Sequence, residues 1–300
     1  MEDVAVENGA VEDVLDGSLE RILAEVDRLG LTENIAELET RGCTVVPPDR
    51  LVPAVPVDDF FERILDLMER RNGVRPDVEG GTTHINISFP TLYYFLFEDP
   101  LFEEWLLHPV LRCLVDSLLG ERCILHATAL FMKGPSPDTP DDHLQITLHT
   151  DQQSVPDPMP AYPLIVGATL LLTDYTREDG GFAYVPGSHT RCRHPVGFED
   201  AKKAVPIEAP RGSLLVHDGR LWHGSFGRRK PGLRAGMAFA FSRMFMAPLE
   251  AFRENVTKET LDKYPERFAQ LMGQYVPTGS TEEGPDLAKV GYGVMRTKWD

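Results

Sequence analysis

Residues 147–153 read TLHTDQQ, at the end of an alternating run that opens with LQI at 144–146. Side chains two apart on a strand share a face. If the strand continues through Thr150, His149 and Asp151 project side by side. An imidazole and a carboxylate among apolar neighbours are costly unless they pair or bind a metal. The stretch is therefore half of a metal site, or a strand end whose histidine and aspartate bond each other or a turn. HxD alone does not separate these readings.

Further strand-like runs surround it: 42–47, 123–132, 164–175, 181–189, 212–218 and 233–245, separated by Gly, Pro and Asp. Helical texture lies mainly on either side. An amphipathic helix is expected from Leu19 to Leu31, and a second, capped by Thr32, through Leu38. A third runs to about Arg71 with Asp58 or Asp59 as its cap, Phe61, Leu65 and Met68 sharing one face. Pro100 and Pro109 divide the Leu/Phe-rich segment 92–120 into helices, and 250–273 is helical again. Helices, then strands, then helix favour an antiparallel barrel or sandwich with flanking helices over alternating βαβ units. No GxGxxG after a strand, no GxxxxGK[ST] and no GxSxG occurs.

The 300 residues carry a net charge of −17, with 42 % hydrophobic and 26 % charged residues. That charge repels phosphate backbones and anionic membranes, so neither nucleic acid nor membrane is an expected partner. Four scattered cysteines without a CxxC pair, an acidic N-terminus lacking a signal-peptide pattern and no long apolar run give a cytoplasmic expectation. Residues 1–16 read as an acidic flexible terminus, 17–275 as one domain with its β core at about 121–246, and 276–300 as a C-terminal extension.

His223 lies 74 residues beyond His149 in LLVHDGRLWHGSF, and Arg234 follows 11 residues later. Two histidines and a carboxylate form the facial triad of non-haem Fe(II) oxygenases, which leaves coordination positions open. Arginine offers a planar fork to a carboxylate-tailed cosubstrate. Ser225, two residues past His223, shares its face. His217 in HDGRLWH is a rival ligand that the residues by themselves leave open.

LHTD, EDGGFAYVPGSH and LWHGSFGRRKPGLR together resemble the phytanoyl-CoA dioxygenase (PhyH) family of Fe(II)/2-oxoglutarate-dependent oxygenases, over roughly residues 32–245. Gly180–Gly181 stands where many members have Asn-Gly. The resemblance implies a double-stranded β-helix (jelly roll, cupin-like) core. It implies that His149, Asp151 and His223 hold Fe(II), and that Arg234 and Ser225 hold the distal carboxylate of 2-oxoglutarate. Thr169 is a further cosubstrate candidate, with an ordinary strand residue as the alternative. The implied reaction couples decarboxylation of 2-oxoglutarate by O2 to oxidation of an unactivated C–H bond, releasing succinate and CO2. In related halogenases a small residue replaces the carboxylate ligand, so Asp151 points to hydroxylation or desaturation, epoxidation or ring formation.

The substrate expected is a small molecule, such as a natural-product intermediate; the protein is expected as a monomer or homodimer. The Pro-rich loops 134–143 and 152–163 read as lids or as stiff connections. Phe182, Tyr184, Trp222 and Phe226 are candidate substrate contacts or core, and Arg191, Arg193, Lys202 and Lys203 a candidate anion patch or a solvated loop. His126 faces cavity or core, and His189 of PGSH reads as structural. Competing functions are a zinc-dependent hydrolase or lyase on the same triad, and a non-catalytic jelly-roll binding protein.

Overall fold

The computed structural model describes residues 9–84, 92–140, 143–274, and Glu282 and Gly284. The helices are α1 (Gly9–Arg28), α2 (Thr32–Arg41), α3 (Val57–Asn72), α4 (Pro100–Trp105), α5 (Pro109–Leu119), α6 (Gly197–Ala201), α7 (Phe252–Asn255), α8 (Lys258–Lys263) and α9 (Glu266–Leu271). The strands are β1 (Cys43–Val46), β2 (Ile124–Lys133), β3 (Leu144–His149), β4 (Ile165–Leu171), β5 (Phe182–Tyr184), β6 (Val205–Pro206), β7 (Leu214–Asp218), β8 (His223–Phe226) and β9 (Arg234–Ser242). They build a five-stranded sheet, β1-β7-β4-β9-β2, and a four-stranded sheet, β3-β8-β5-β6, with every pairing antiparallel. The result is the jelly-roll core flanked by helices.

Alternation in the large sheet separates core from cavity. Val166, Ala168 and Leu170 of β4, with Met237, Phe239 and Phe241 of β9, join one apolar cluster with Ile64 of α3, Phe102 of α4 and Leu114 of α5. Full burial of each large apolar side chain contributes about 2 kcal/mol. The residues between them, Gly167, Thr169, Ala238 and Ala240, line a cavity on the opposite face. β4 is consequently buried along its whole length, which explains why it reads as a continuous apolar run.

Several local expectations shift. α1 begins at Gly9 rather than Leu19, so the helix also takes in residues 9–16. Residues 1–8 lie outside the described residues, as do 276–300 apart from Glu282 and Gly284. Thr32 is the first helical residue of α2, whose cap position is Leu31 with no side-chain hydrogen bond. Asp58 and Asp59 sit in the first turn of α3 behind Pro56, where they complement the helix dipole instead of capping. The run 181–189 is a three-residue strand followed by a 3-10 turn at Ser188–Arg191. β6 and β8 were not anticipated as strands: β6 has two residues, and β8 reads HGSF, with a single large apolar side chain and no alternation.

Both Pro-rich loops are tied to the scaffold. The Gln152 amide oxygen accepts from the Leu164 and Ile165 N–H groups at 2.7 and 3.3 Å. Arg243 Nε donates to the Pro163 carbonyl at 2.9 Å, and Met159 N–H to Cys192 O at 2.7 Å. In the other loop, Ser136 N–H donates to Arg228 O at 2.9 Å, and the Arg229 guanidinium reaches the Ser136 and Pro137 carbonyls at 3.2 Å. Residues 141–142 lie outside the described residues. These anchors match stiff connections better than mobile lids.

Candidate metal centre

β3 ends at His149, so Asp151 does not reach the site by strand alternation. It sits in the turn that follows, where its N–H donates to Gly219 O at 2.8 Å, between β7 and β8. His149 and His223 are register partners across β3 and β8. The two ring centroids lie 4.3 Å apart. One ligand atom from each of His149, Asp151 and His223 falls within 4.8 Å of the others. His223 is buried, whereas His149 and Asp151 are half-buried, leaving the group open on one side.

The hydrogen bonds set both tautomers. His149 Nδ1 lies 3.0 Å from Thr147 O, and His223 Nδ1 lies 2.9 Å from Leu221 O. A carbonyl only accepts, so both Nδ1 atoms carry the proton and both Nε2 lone pairs remain for a metal. Burial and the neighbouring His223 lower the pKa of His149, which favours the neutral ring a ligand requires. Burial works to raise the Asp151 pKa, but the His223 and His217 rings outweigh it and hold the carboxylate well below its usual range. Phe182 stacks on His223 with rings 9° from parallel at 5.0 Å.

The rival ligand His217 has a different place. Its Nε2 donates to Asp151 Oδ2 at 2.9 Å, while Asp151 Oδ1 lies 3.4 Å from His223 Nε2. Such a bond orients a ligating carboxylate. Gly167 makes room for it. The two residues are register partners, and a Cβ at Gly167 would lie 2.1 Å from His217 Cε1.

Arg234 opens β9 inside the same cavity, 4 % exposed, and donates to the Tyr175 hydroxyl at 2.7 Å. Its Nε is buried without a partner. Opposite it on β2 stands Lys133, which sequence reading missed. Lys133 Nζ donates to Ser225 Oγ at 2.8 Å and to Phe226 O at 3.2 Å. Burial and repulsion from Arg234 push its pKa down to about 6. Among the described residues neither cation has a carboxylate partner. Two basic groups buried side by side disfavour the charged lysine, and an anion between them would let both carry charge. The only legible signal of this pair was a lysine on the same strand phase as the cavity-lining Ala127, Ala129 and Phe131. Ser225 lies on the face of His223, as expected, and Thr169 lines the cavity wall beside Ala238.

Other candidates fall elsewhere. Phe182 lines the cavity. The Tyr184 hydroxyl accepts from Arg41 at 2.6 Å, Trp222 is fully buried beneath Arg191 and Arg193, and Phe226 lies under Arg177. The basic cluster is locally matched: Lys202 pairs with Glu199, and Arg193 and Lys203 with Asp200. It therefore offers no anion patch. His189 is buried and its Nε2 donates to Glu39 O at 3.3 Å, a structural placement. The four cysteines are free thiols. No helix among the described residues is long and apolar enough to cross a membrane.

Comparison with known proteins agrees with this geometry. The chain is similar to the uncharacterized protein Rv1501 of Mycobacterium tuberculosis, 31 % identical over 59 % of this chain and 64 % of that protein. It is similar to dioxygenase af480 of Aspergillus fumigatus, 28 % identical over 60 % of this chain and 57 % of the relative. The chain thus spans less than two thirds of the length of these curated relatives. Among solved structures, HygX from Streptomyces hygroscopicus with nickel and 2-oxoglutarate bound superposes with a TM-score of 0.53 at 18 % identity, covering 73 % of this chain and 89 % of HygX. That likeness carries the fold. The profile of the phytanoyl-CoA dioxygenase family matches residues 9–236, over three quarters of the sequence, and the chain belongs to the phytanoyl-CoA dioxygenase (PhyH) family.

Proposed function

We propose that the protein is an Fe(II)- and 2-oxoglutarate-dependent dioxygenase that hydroxylates an unactivated C–H bond of a small molecule. The observation that carries this reading is that the His149–Asp151–His223 group shares one cavity with Arg234, whose register partner on β2 is the buried Lys133, neither basic group having a carboxylate partner among the described residues. A zinc hydrolase has use for the metal ligands and none for the basic pair.

His149 and His223 would present their Nε2 atoms to the metal, and Asp151 an oxygen that His217 orients from the far side. Arg234 and Lys133, with Ser225 between them and His223, would hold the distal carboxylate of 2-oxoglutarate by charge-assisted hydrogen bonds. Tyr175 steadies the Arg234 fork. When bound, iron with 2-oxoglutarate and O2 supplies the oxidising chemistry, with succinate and CO2 as coproducts. The apolar walls exclude water from the reacting centre, which protects it from side reactions. HygX, of the same fold, has nickel and 2-oxoglutarate bound, and af480 is named a dioxygenase; both support the reading.

The test is anaerobic titration of the metal-free protein with Fe(II) and 2-oxoglutarate, watching for the visible charge-transfer band of the chelate. The expected band disappears in His149→Ala and weakens in Arg234→Ala. A folded wild-type protein that gives no band would falsify the cosubstrate assignment.

A further inference from the structure

No strand ladder fixes the turn between His149 and Asp151, because β3 ends at His149. Thr150 is the one residue between these two ligands, so its backbone angles set how the imidazole and the carboxylate diverge. Thr150 is fully buried, and it is not among the residues lining the cavity. Among the described residues its hydroxyl has one hydrogen-bond partner, His194 Nδ1 at 3.0 Å. The other nitrogen of that ring, Nε2, lies 2.8 Å from Val155 O. A carbonyl only accepts, so Nε2 carries the proton and Nδ1 is left to accept from the Thr150 hydroxyl.

The ring is itself held, since His194 N–H donates to Asp157 Oδ1 at 3.0 Å. The same segment reaches the third ligand from the other side. Trp222, immediately before His223, is fully buried. Its indole Nε1 donates to Arg193 O at 2.8 Å, and its backbone N–H donates to Ser188 Oγ at 2.9 Å. The Arg193 guanidinium lies over the Trp222 ring, 4.3 Å from its centre. Two consecutive residues, Arg193 and His194, thus touch the sequence neighbours of His149, Asp151 and His223.

Backbone strain marks the same place. Cys192, just before them, has a φ of 49°, a left-handed conformation that a residue other than glycine keeps only where its surroundings impose it. Met159 N–H holds it there by donating to Cys192 O at 2.7 Å. A metal site works only if its groups stay within about 0.5 Å of the productive geometry, which the residues behind the ligands must enforce.

We propose that His194 is a positioning residue of the metal centre: by accepting from the Thr150 hydroxyl it fixes the turn that carries His149 and Asp151. The proposal rests on the metal-centre and oxygenase readings and adds to them the support of the ligand turn.

The experiment titrates the full metal-free chain with Co(II), and separately with Fe(II) and 2-oxoglutarate under anaerobic conditions. Competition with a chromophoric chelator gives the Co(II) dissociation constants. His194→Phe keeps a ring and removes its hydrogen bonds, and Thr150→Val keeps the shape and removes the hydroxyl. Each is expected to weaken Co(II) binding about tenfold, the low end for losing support behind a ligand. His194→Asn places an amide oxygen near Nδ1, and Thr150→Ser keeps the hydroxyl, so both should stay within about twofold of wild type. The double variant His194→Phe/Thr150→Val should lose no more than the worse single variant, since either change breaks the same bond.

An anchor of the loop alone would lower Tm and leave the metal affinity of the folded protein untouched. Unchanged Co(II) affinity in His194→Phe and Thr150→Val therefore overturns the proposal. An additive loss in the double variant overturns it too. So does failure of both single variants to fold, judged by near-ultraviolet circular dichroism, because the bond is then a requirement of the fold. A wild type that binds Co(II) but gives no charge-transfer band with Fe(II) and 2-oxoglutarate overturns the oxygenase reading, while the role of His194 is still decided by the Co(II) affinities. A wild type that binds no metal overturns both.

Discussion

Lys133 and Arg234 face one another across the β2–β9 ladder as register partners, both buried and both without a carboxylate among the described residues. Their mutual repulsion is part of what lowers the lysine pKa to about 6. A dicarboxylate bound between them would reverse that, because an anion favours the protonated lysine.

Binding of 2-oxoglutarate should therefore take up a proton. The free protein holds Lys133 charged below about pH 6 and loses that charge above it. Affinity for the cosubstrate is expected to fall as pH rises from 6 to 8. In Lys133→Met that dependence should flatten, with binding about tenfold weaker at pH 6, the order of one charge-assisted hydrogen bond. Calorimetric titration at several pH values in two buffers of different ionisation enthalpy checks both the slope and the proton uptake.

His217 holds Asp151 without belonging to the ligand triad. Replacement by Phe removes its hydrogen bond and keeps the ring volume. Metal affinity is expected to drop by about 10–100-fold, the usual range for losing a partner of a ligand. Competition with a chromophoric chelator measures it. An unchanged affinity would show that the His217–Asp151 contact is incidental.

Gly167→Ala should reproduce much of that loss from a different strand. The new Cβ would lie 2.1 Å from His217 Cε1, so the ring must move. Overpacking of this kind costs about 1–3 kcal/mol. A lowered Tm together with weakened metal binding is the expected result. The double variant Gly167→Ala/His217→Ala should recover stability relative to Gly167→Ala alone.

Acid stability should report on Asp179. Arg228 Nη1 lies 3.1 Å from its Oδ1 and Lys230 Nζ 2.9 Å from its Oδ2, with Asp179 and Arg228 both buried. Burial works against ionisation, but Thr176, Lys230 and Arg228 prevail and keep the pKa below its usual value. A depressed carboxylate stabilises the fold above the ordinary pKa of about 4, and that contribution fades as pH falls toward the folded value. Asp179→Asn should cost about 3 kcal/mol at neutral pH and show a smaller loss of stability between pH 5 and 3. Urea unfolding across that range separates the two behaviours.

Sequence by itself determined the local facts. Strand-like runs between turn-forming Gly, Pro and Asp marked every strand of the larger sheet and half of the smaller, including those that carry His149, Arg234 and Lys133. Residue chemistry and spacing singled out His149, Asp151, His223 and Arg234, because few other arrangements give two histidines, a carboxylate and a distant arginine a common use. Local pattern reports what one element does to its own neighbours, and no more. It misplaced the caps of α2 and α3, where Leu31 and Pro56 stand outside the helix without a side-chain bond. It also left open whether the strand runs on through Thr150, whereas β3 ends at His149, two residues before Asp151.

Tertiary structure alone decided the relationships between elements. The pairing of β3 with β8 puts His149 opposite His223 across 74 residues of chain. β8 reads HGSF, with no apolar alternation to mark it as a strand. The pairing of β4 with β7 gives His217 its space against Gly167 and turns a rival ligand into the support of Asp151. The β2–β9 register sets Lys133 against Arg234. Each depends on which buried face a strand presents and on a register that slips every side chain to the other face if moved by one residue. That choice is made by the packing of the whole core, and no stretch of sequence contains it.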